Sequence, residues 1–336
     1  MRFTTTFRKS KGAILVTIVL GVAALATFGA AQAANGPKPG ADALRATAGV
    51  AAGDNTGSAK PGIAAAARTS APASKAGSAG ASPDLNGYVV VSEEFVNPAG
   101  AQSFGEVDCP AGKVAFGGGV LGNSFSLFQN VNSSYPAVSG GVAVGWKGYV
   151  DNGSGDDSVF LVYAVCAKKP AHYAVVSATF DNPTGMQTSA AVACPTASNG
   201  TQMKPFGGGA FSTSPALGQD INTTIPSKRT RSWRTDMNNG TGTDESFTVY
   251  AVCGLKAGWK VIQGPAVTNP ANDQTSASVS CPAGLVSVGG GLYSSSGNTA
   301  VNLNGTYPNT SSSWLSYENN ATAGNQTITP YVVCLA

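Results

Sequence analysis

Glycine occurs in three uninterrupted triplets, Gly117–Gly119, Gly207–Gly209 and Gly289–Gly291, and glycine runs are a known means of holding phosphate. A phosphate loop of the form G-x-x-x-x-G-K-[ST] works because its N–H groups and a following helix end converge on the anion. No Lys follows the triplets, and the first runs on into VLGNSFS, which has no helical pattern. GGGVLG fits no dinucleotide fingerprint either. The expectation is therefore structural: in a sheet, a missing side chain admits a bulge, a sharp twist or the close approach of another group.

Catalytic chemistry has few carriers. His172 is the sole histidine. The adjacent acids Glu93-Glu94 and Asp156-Asp157 do not recur along the chain, and Asp244-Glu245 matches the second pair only approximately. Paired carboxylates for glycoside chemistry belong in a cleft, and an enzyme would need one uniting His172 with carboxylates. There is no C-x-x-C, so zinc-type ligation is not expected. We expect no catalysis, no metal and no cofactor.

Aromatic and amide side chains offer the remaining candidates. Trp146, Trp233 and Trp314 recur, with Tyr135 and Tyr307 in two of three corresponding places and Ile225 in the third. Asn132, Asn222 and Asn304 recur too, each opening an N-x-[ST] sequon. Aromatic faces beside amides suit sugar rings, and three copies would add avidity. The plainer alternative is that each Trp is a core residue, lying over the glycines, and that each Asn holds a turn. Exposed, coplanar Trp rings would favour binding; buried ones would favour a structural role.

These residues sit in a threefold internal repeat, which sets the architecture. Asn-Pro opens each unit at Asn97, Asn182 and Asn269; Gln102, Gln187 and Gln274 follow four residues past the Pro. Cys109, Cys194 and Cys281 come eleven past it, and Cys166, Cys253 and Cys334 stand twenty past each Trp. One early and one late Cys per unit predicts the pairs Cys109–Cys166, Cys194–Cys253 and Cys281–Cys334, in an oxidising compartment. The vocabulary of Val, Tyr, Phe and Thr punctuated by Gly and Asn-Gly is all-β. We expect three tandem antiparallel β-sandwich-like repeats of about six strands each, at residues 85–170, 171–257 and 258–336. A pseudo-threefold, prism-like assembly is the alternative. The closing strands (VYAVC, VYAVC, PYVVC) are apolar on both faces and should be central or sandwiched. Pro330 in the third should face an edge or a bulge. DNGSG, NNGTG and NNATAG read as hairpin turns with positive φ at Asn-Gly.

Upstream of the repeats, Arg2, Arg8, Lys9 and Lys11 precede an apolar run from Ala13 to Phe28, with Ala31 and Ala33 as an A-x-A cleavage site. Residues 1–33 are expected to be a signal peptide, because the 16-residue run falls short of the ~20 that span a bilayer. No later stretch reaches that length, so no stable membrane insertion is expected. Residues 34–84, rich in Ala, Gly, Ser and Pro, read as a disordered tether. Without the signal the chain carries 16 basic and 17 acidic residues, and only 11% of all residues are charged. The densest basic stretch, SKRTRSWR, occurs once, so nucleic-acid binding is not expected.

The pattern Cys-Pro-x-Gly, Gly-Gly-Gly, then Tyr-x-x-Cys, seen in CPAGKVAFGGG and VYAVC, resembles repeats of secreted actinobacterial proteins of unassigned function. It spans residues 85–336 and implies no activity; the second unit departs through CPTASNG and its insertion. The sequence thus leads to a secreted, non-catalytic binding or adhesion protein, its partner an extracellular polysaccharide or cell-envelope component. The rival is a structural component of a surface coat or extracellular matrix without a small ligand, and a secreted hydrolase is the third reading.

Overall fold

The computed structural model describes residues 85–336. The signal and tether readings lie outside them. The described residues form nineteen strands and no helix. The first repeat supplies β1 (Val89–Asn97), β2 (Ala101–Asp108), β3 (Val114–Gly122), β4 (Gln129–Ser139), β5 (Val142–Asn152) and β6 (Ser158–Ala167). The second supplies β7 (Tyr173–Asn182), β8 (Gln187–Ala193), β9 (Lys204–Ser212), β10 (Gln219–Ser227), β11 (Ser232–Asn239) and β12 (Glu245–Gly254). The third supplies β13 (Lys260–Gln263), β14 (Val267–Asn269), β15 (Asp273–Ser280), β16 (Val286–Ser294), β17 (Val301–Thr310), β18 (Ser313–Asn320) and β19 (Gln326–Leu335).

Each repeat splits its strands between two sheets, and each sheet joins two repeats. The first sheet runs β1-β6-β3-β17-β18-β15, the second β2-β5-β4-β9-β12-β7, and the third β13-β19-β16-β10-β11-β8 with β14 also on β19. All named pairs are antiparallel, and no sheet closes into a barrel. The joints between repeats are short: Thr306 opposite Val120, Ser134 opposite Ala210 and Thr224 opposite Leu292. A repeat is thus a sandwich-like corner, and the three corners are linked in a ring. Both descriptions drawn from the sequence apply, at different levels.

The closing strands β6, β12 and β19 are central, as their two apolar faces require. Opposite Pro330 the edge strand breaks into β13 and β14, which pair with β19 on either side of the proline. A residue without an N–H cannot hold that part of the ladder. The Asn-Gly stretches are not hairpins. β5 lies in the second sheet and β6 in the first, so the chain turns a corner there, and neither Gly153 nor Gly240 adopts positive φ. The Asn side chain makes the corner instead. Asn152 Oδ1 accepts from the Ser154 N–H at 3.1 Å, while its Nδ2 donates to the Asn97 and Asp156 carbonyls, both at 2.9 Å. Asn239 and Asn320 repeat the arrangement.

All three cysteine pairs form as expected, with Cα–Cα distances of 5.6–5.7 Å. Each ties the end of an edge strand in one sheet to the central strand of the next, stapling a corner.

Candidate functional site

The glycine triplets occupy the centre of the ring. A register shift precedes each, so that Phe116, Phe206 and Val288 bulge inward and are wholly buried. Phe116 and Phe206 stack at 5.1 Å. The first glycines pack on one another's strands around the centre: Gly117 on Val288 and Gly289, Gly207 on Phe116 and Gly117, Gly289 on Phe206 and Gly207. The second glycines, Gly118, Gly208 and Gly290, lie beneath Trp146, Trp233 and Trp314 of their own repeats. The third, Gly119, Gly209 and Gly291, abut the carbonyls of Thr306, Ser134 and Thr224 on the neighbouring repeat. At each of the nine, a Cβ would overlap backbone or indole atoms. No anion site exists there, because the space is filled by protein.

The candidate binding residues are mostly interior. Trp146, Trp233 and Trp314 have no exposed surface, and each indole N–H donates within its own repeat: to Ser134 (2.9 Å), Thr224 (2.7 Å) and Thr306 (2.6 Å). They cannot stack on a sugar; they replace the missing side chains of the glycines below them. Asn132, Asn222 and Asn304 are buried as well and bridge repeats. Their Nδ2 groups donate to the carbonyls of Gln219 (2.8 Å), Val301 (2.7 Å) and Gln129 (2.8 Å) in the next repeat. A bulge at each Asn turns the side chain that way. These three sequons are therefore closed to modification in the folded molecule. Tyr307 is buried and stacks on Tyr163 at 5.0 Å. Of the candidate residues, Tyr135 alone keeps substantial exposed surface.

Further recurrent residues prove to be connectors. Gln102, Gln187 and Gln274 donate across the joints to the carbonyls of Ser214, Ser296 and Ser124, each at 3.1 Å. Asp157 and Asp244 hold the Asn-Pro turns by accepting from the N–H groups of Ala99 and Thr184, both at 2.9 Å. Glu93 and Glu94 lie exposed on edge strand β1. Two open grooves mark the surface, one along Phe125, Leu127, Gln274 and Tyr317, the other along Asp181, Thr213, Asp244 and Glu245. Neither holds His172, and no metal-competent cluster of His, Cys, Asp and Glu exists among the described residues.

What faces outward is an aromatic row on the second sheet that the sequence reading did not assemble. Phe104 on β2 contacts Tyr149 on β5 at 4.9 Å, Tyr149 contacts Phe211 on β9 at 6.0 Å, and Tyr135 on β4 lies 5.1 Å from Phe211 and 5.5 Å from Tyr250 on β12. Beside it Lys147 pairs with Glu106 at 3.4 Å. Burial, with Tyr149 and Tyr250 nearby, raises the Tyr135 phenol, so it stays a neutral hydroxyl. The other two sheets carry different residues at these places: Leu121, Tyr307 and Tyr317 on the first; Ile225, Tyr293 and an Arg234–Asp236 ion pair on the third. The row spans two repeats, so no single repeat read alone could reveal it.

No family model and no curated protein matches the chain. Among solved structures, one described as "The Triple Jelly Roll Fold and Turret Assembly in an Archaeal Virus" aligns with 74% of this chain and 89% of that one, at 12% identity and a TM-score of 0.16.

Proposed function

We propose that the chain is a non-catalytic structural component of an oxidising, extracellular coat or matrix, its repeats forming one rigid head. The observation that carries this reading is the placement of the recurrent residues. The Trp, Asn, Gln, Cys and Gly that repeat three times are engaged inside the molecule, in corners and joints. A ligand site used in triplicate would present such residues to solvent. The three disulfides fit an oxidising environment.

The aromatic row on the second sheet favours a second reading: adhesion to an extracellular polysaccharide through one face. A pull-down of the chain from residue 34 on insoluble cell-envelope polysaccharides, with a glycan array beside it, separates the two. The structural reading expects no retention and co-fractionation with the surface layer. Retention that a Tyr135→Ala/Phe211→Ala variant abolishes would replace it with the second.

A further inference from the structure

The three joints between repeats follow one design, and one of them differs in chemistry. At the joint of repeats 2 and 3, Asn238 Nδ2 donates to Asn302 Oδ1 (2.7 Å) and to the Val301 carbonyl (2.8 Å), while its Oδ1 accepts from Gln187 (2.8 Å). At the joint of repeats 3 and 1, Asn319 Nδ2 donates to Asn130 Oδ1 (2.9 Å) and to the Gln129 carbonyl (2.8 Å), while its Oδ1 accepts from Gln274 (2.6 Å). At the joint of repeats 1 and 2 both positions are carboxylic: Asp151 stands where Asn238 and Asn319 do, and Asp220 where Asn302 and Asn130 do.

Asp151 and Asp220 are each only 2% exposed. Asp151 Oδ1 accepts from Gln102 at 2.9 Å, as its counterparts accept from their glutamines. Its Oδ2, in the place of the donating amide, accepts from the Gly218 N–H at 3.1 Å. Asp220 Oδ1 has no donor. Where the other joints have an amide donor this one has a carboxyl acceptor, and a carboxylic proton supplies the missing donor.

We propose that the Asp151–Asp220 contact is a proton latch: one proton held between the two carboxyls closes the joint of repeats 1 and 2, and its loss to solvent loosens that joint. With the proton gone, two carboxylates face each other away from water. Burial raises both carboxyls above the usual range, and at Asp220 the charge of Asp151 raises it further. The other groups facing the pair are neutral: Gln102 from β2, Asn130 and Asn132 from β4, and the Gly218 N–H. The next acid, Glu245 on β12, is engaged with Ser214 Oγ at 3.3 Å. Among the described residues no Lys or Arg forms an ion pair with either carboxyl. For an acid raised in the fold, the stabilisation is complete below its unfolded value and is lost as pH rises through the folded one. The latch therefore closes in mild acid and weakens toward alkaline pH.

Hydrogen exchange across the three joints, corrected for intrinsic base catalysis and followed from about pH 5 to about pH 8.5, tests this. Opening around Ser134 and Ala210 is expected to increase by up to about tenfold per pH unit between the ordinary Asp range and the pair's raised titration, and to level off above it. The joints at Thr224–Leu292 and Thr306–Val120 are expected not to follow. Asp151→Asn/Asp220→Asn, which installs the pair found at the other joints, should flatten the response. Carbon-13 NMR of the wild-type carboxyls gives a second readout that needs no variant, and the last proton of the pair should leave above the ordinary Asp range. An equal response at all three joints, a double variant that keeps the slope, or carboxyls titrating in the ordinary range overturns the proposal.

Discussion

A methyl group on Gly118 would overlap the Trp146 ring and the Tyr163 carbonyl, which fixes that position as glycine more firmly than any backbone preference. Gly118→Ala is expected to cost about 3 kcal/mol, because neither a wholly buried indole nor a central strand can yield without further strain. Denaturant unfolding against the wild type measures it. Glu318 is a second residue whose setting decides its behaviour. It stands where the other repeats have Val150 and Met237, is wholly buried, and accepts from Asn269 Nδ2 at 2.9 Å. Burial raises its carboxyl to about 7, only partly offset by Asn269 and Ser294. Its neutral form thus stabilises the fold below the ordinary carboxylate range, and that contribution is lost as pH rises through about 7. Glu318→Gln should be more stable than wild type above that pH, by on the order of 2–3 kcal/mol. A pair of melting curves at about pH 5 and about pH 8.5 checks the sign: the variant's advantage must grow with pH.

The corner is the element on which each repeat depends. A strand leaves one sheet, an Asn side chain turns the chain, and the next strand enters the neighbouring sheet. A disulfide across sequence separations of 53–59 residues then fixes the two sheets together. Loops of this length give about 4 kcal/mol each in the chain-entropy model. Cys194→Ser/Cys253→Ser should therefore lower stability by a comparable amount, and non-reducing peptide mapping should recover the three pairs within repeats. The reading of Asn-Gly as a hairpin failed at this scale. The dipeptide signals a turn, but whether the next strand pairs with the last or crosses to another sheet depends on distant strands. Pro330 was legible, because the lack of an N–H is a local fact with one outcome in a ladder.

At the scale of the molecule, no repeat completes a sheet. The three strands β1, β6 and β3 gain their neighbour β17 from the third repeat, and β5 and β4 gain β9 from the second. A fragment of residues 85–170 would expose both inner edges, the glycines and Phe116. It is expected not to fold alone, whereas residues 85–336 should unfold in one cooperative transition. Circular dichroism of the two, under oxidising conditions, decides. A fragment melting cooperatively near the temperature of the whole would show that the joints add little.

Sequence by itself determined the repeat, its all-β character and the cysteine pairing, because spacing and residue chemistry repeat at fixed offsets and six cysteines divide evenly among three units. It also placed the glycines in sheets and excluded a phosphate loop, since the chemistry such a loop needs is absent from the neighbouring residues. Tertiary structure alone decided that the tryptophans and asparagines face inward, that a row of aromatic rings from two repeats meets on one outer face, and that Asp151 and Asp220 meet at one joint. The physical reason is the same in each case. Burial and pairing here arise between repeats, through bulges that redirect single side chains, and a one-residue change of register reverses the face without altering the sequence pattern.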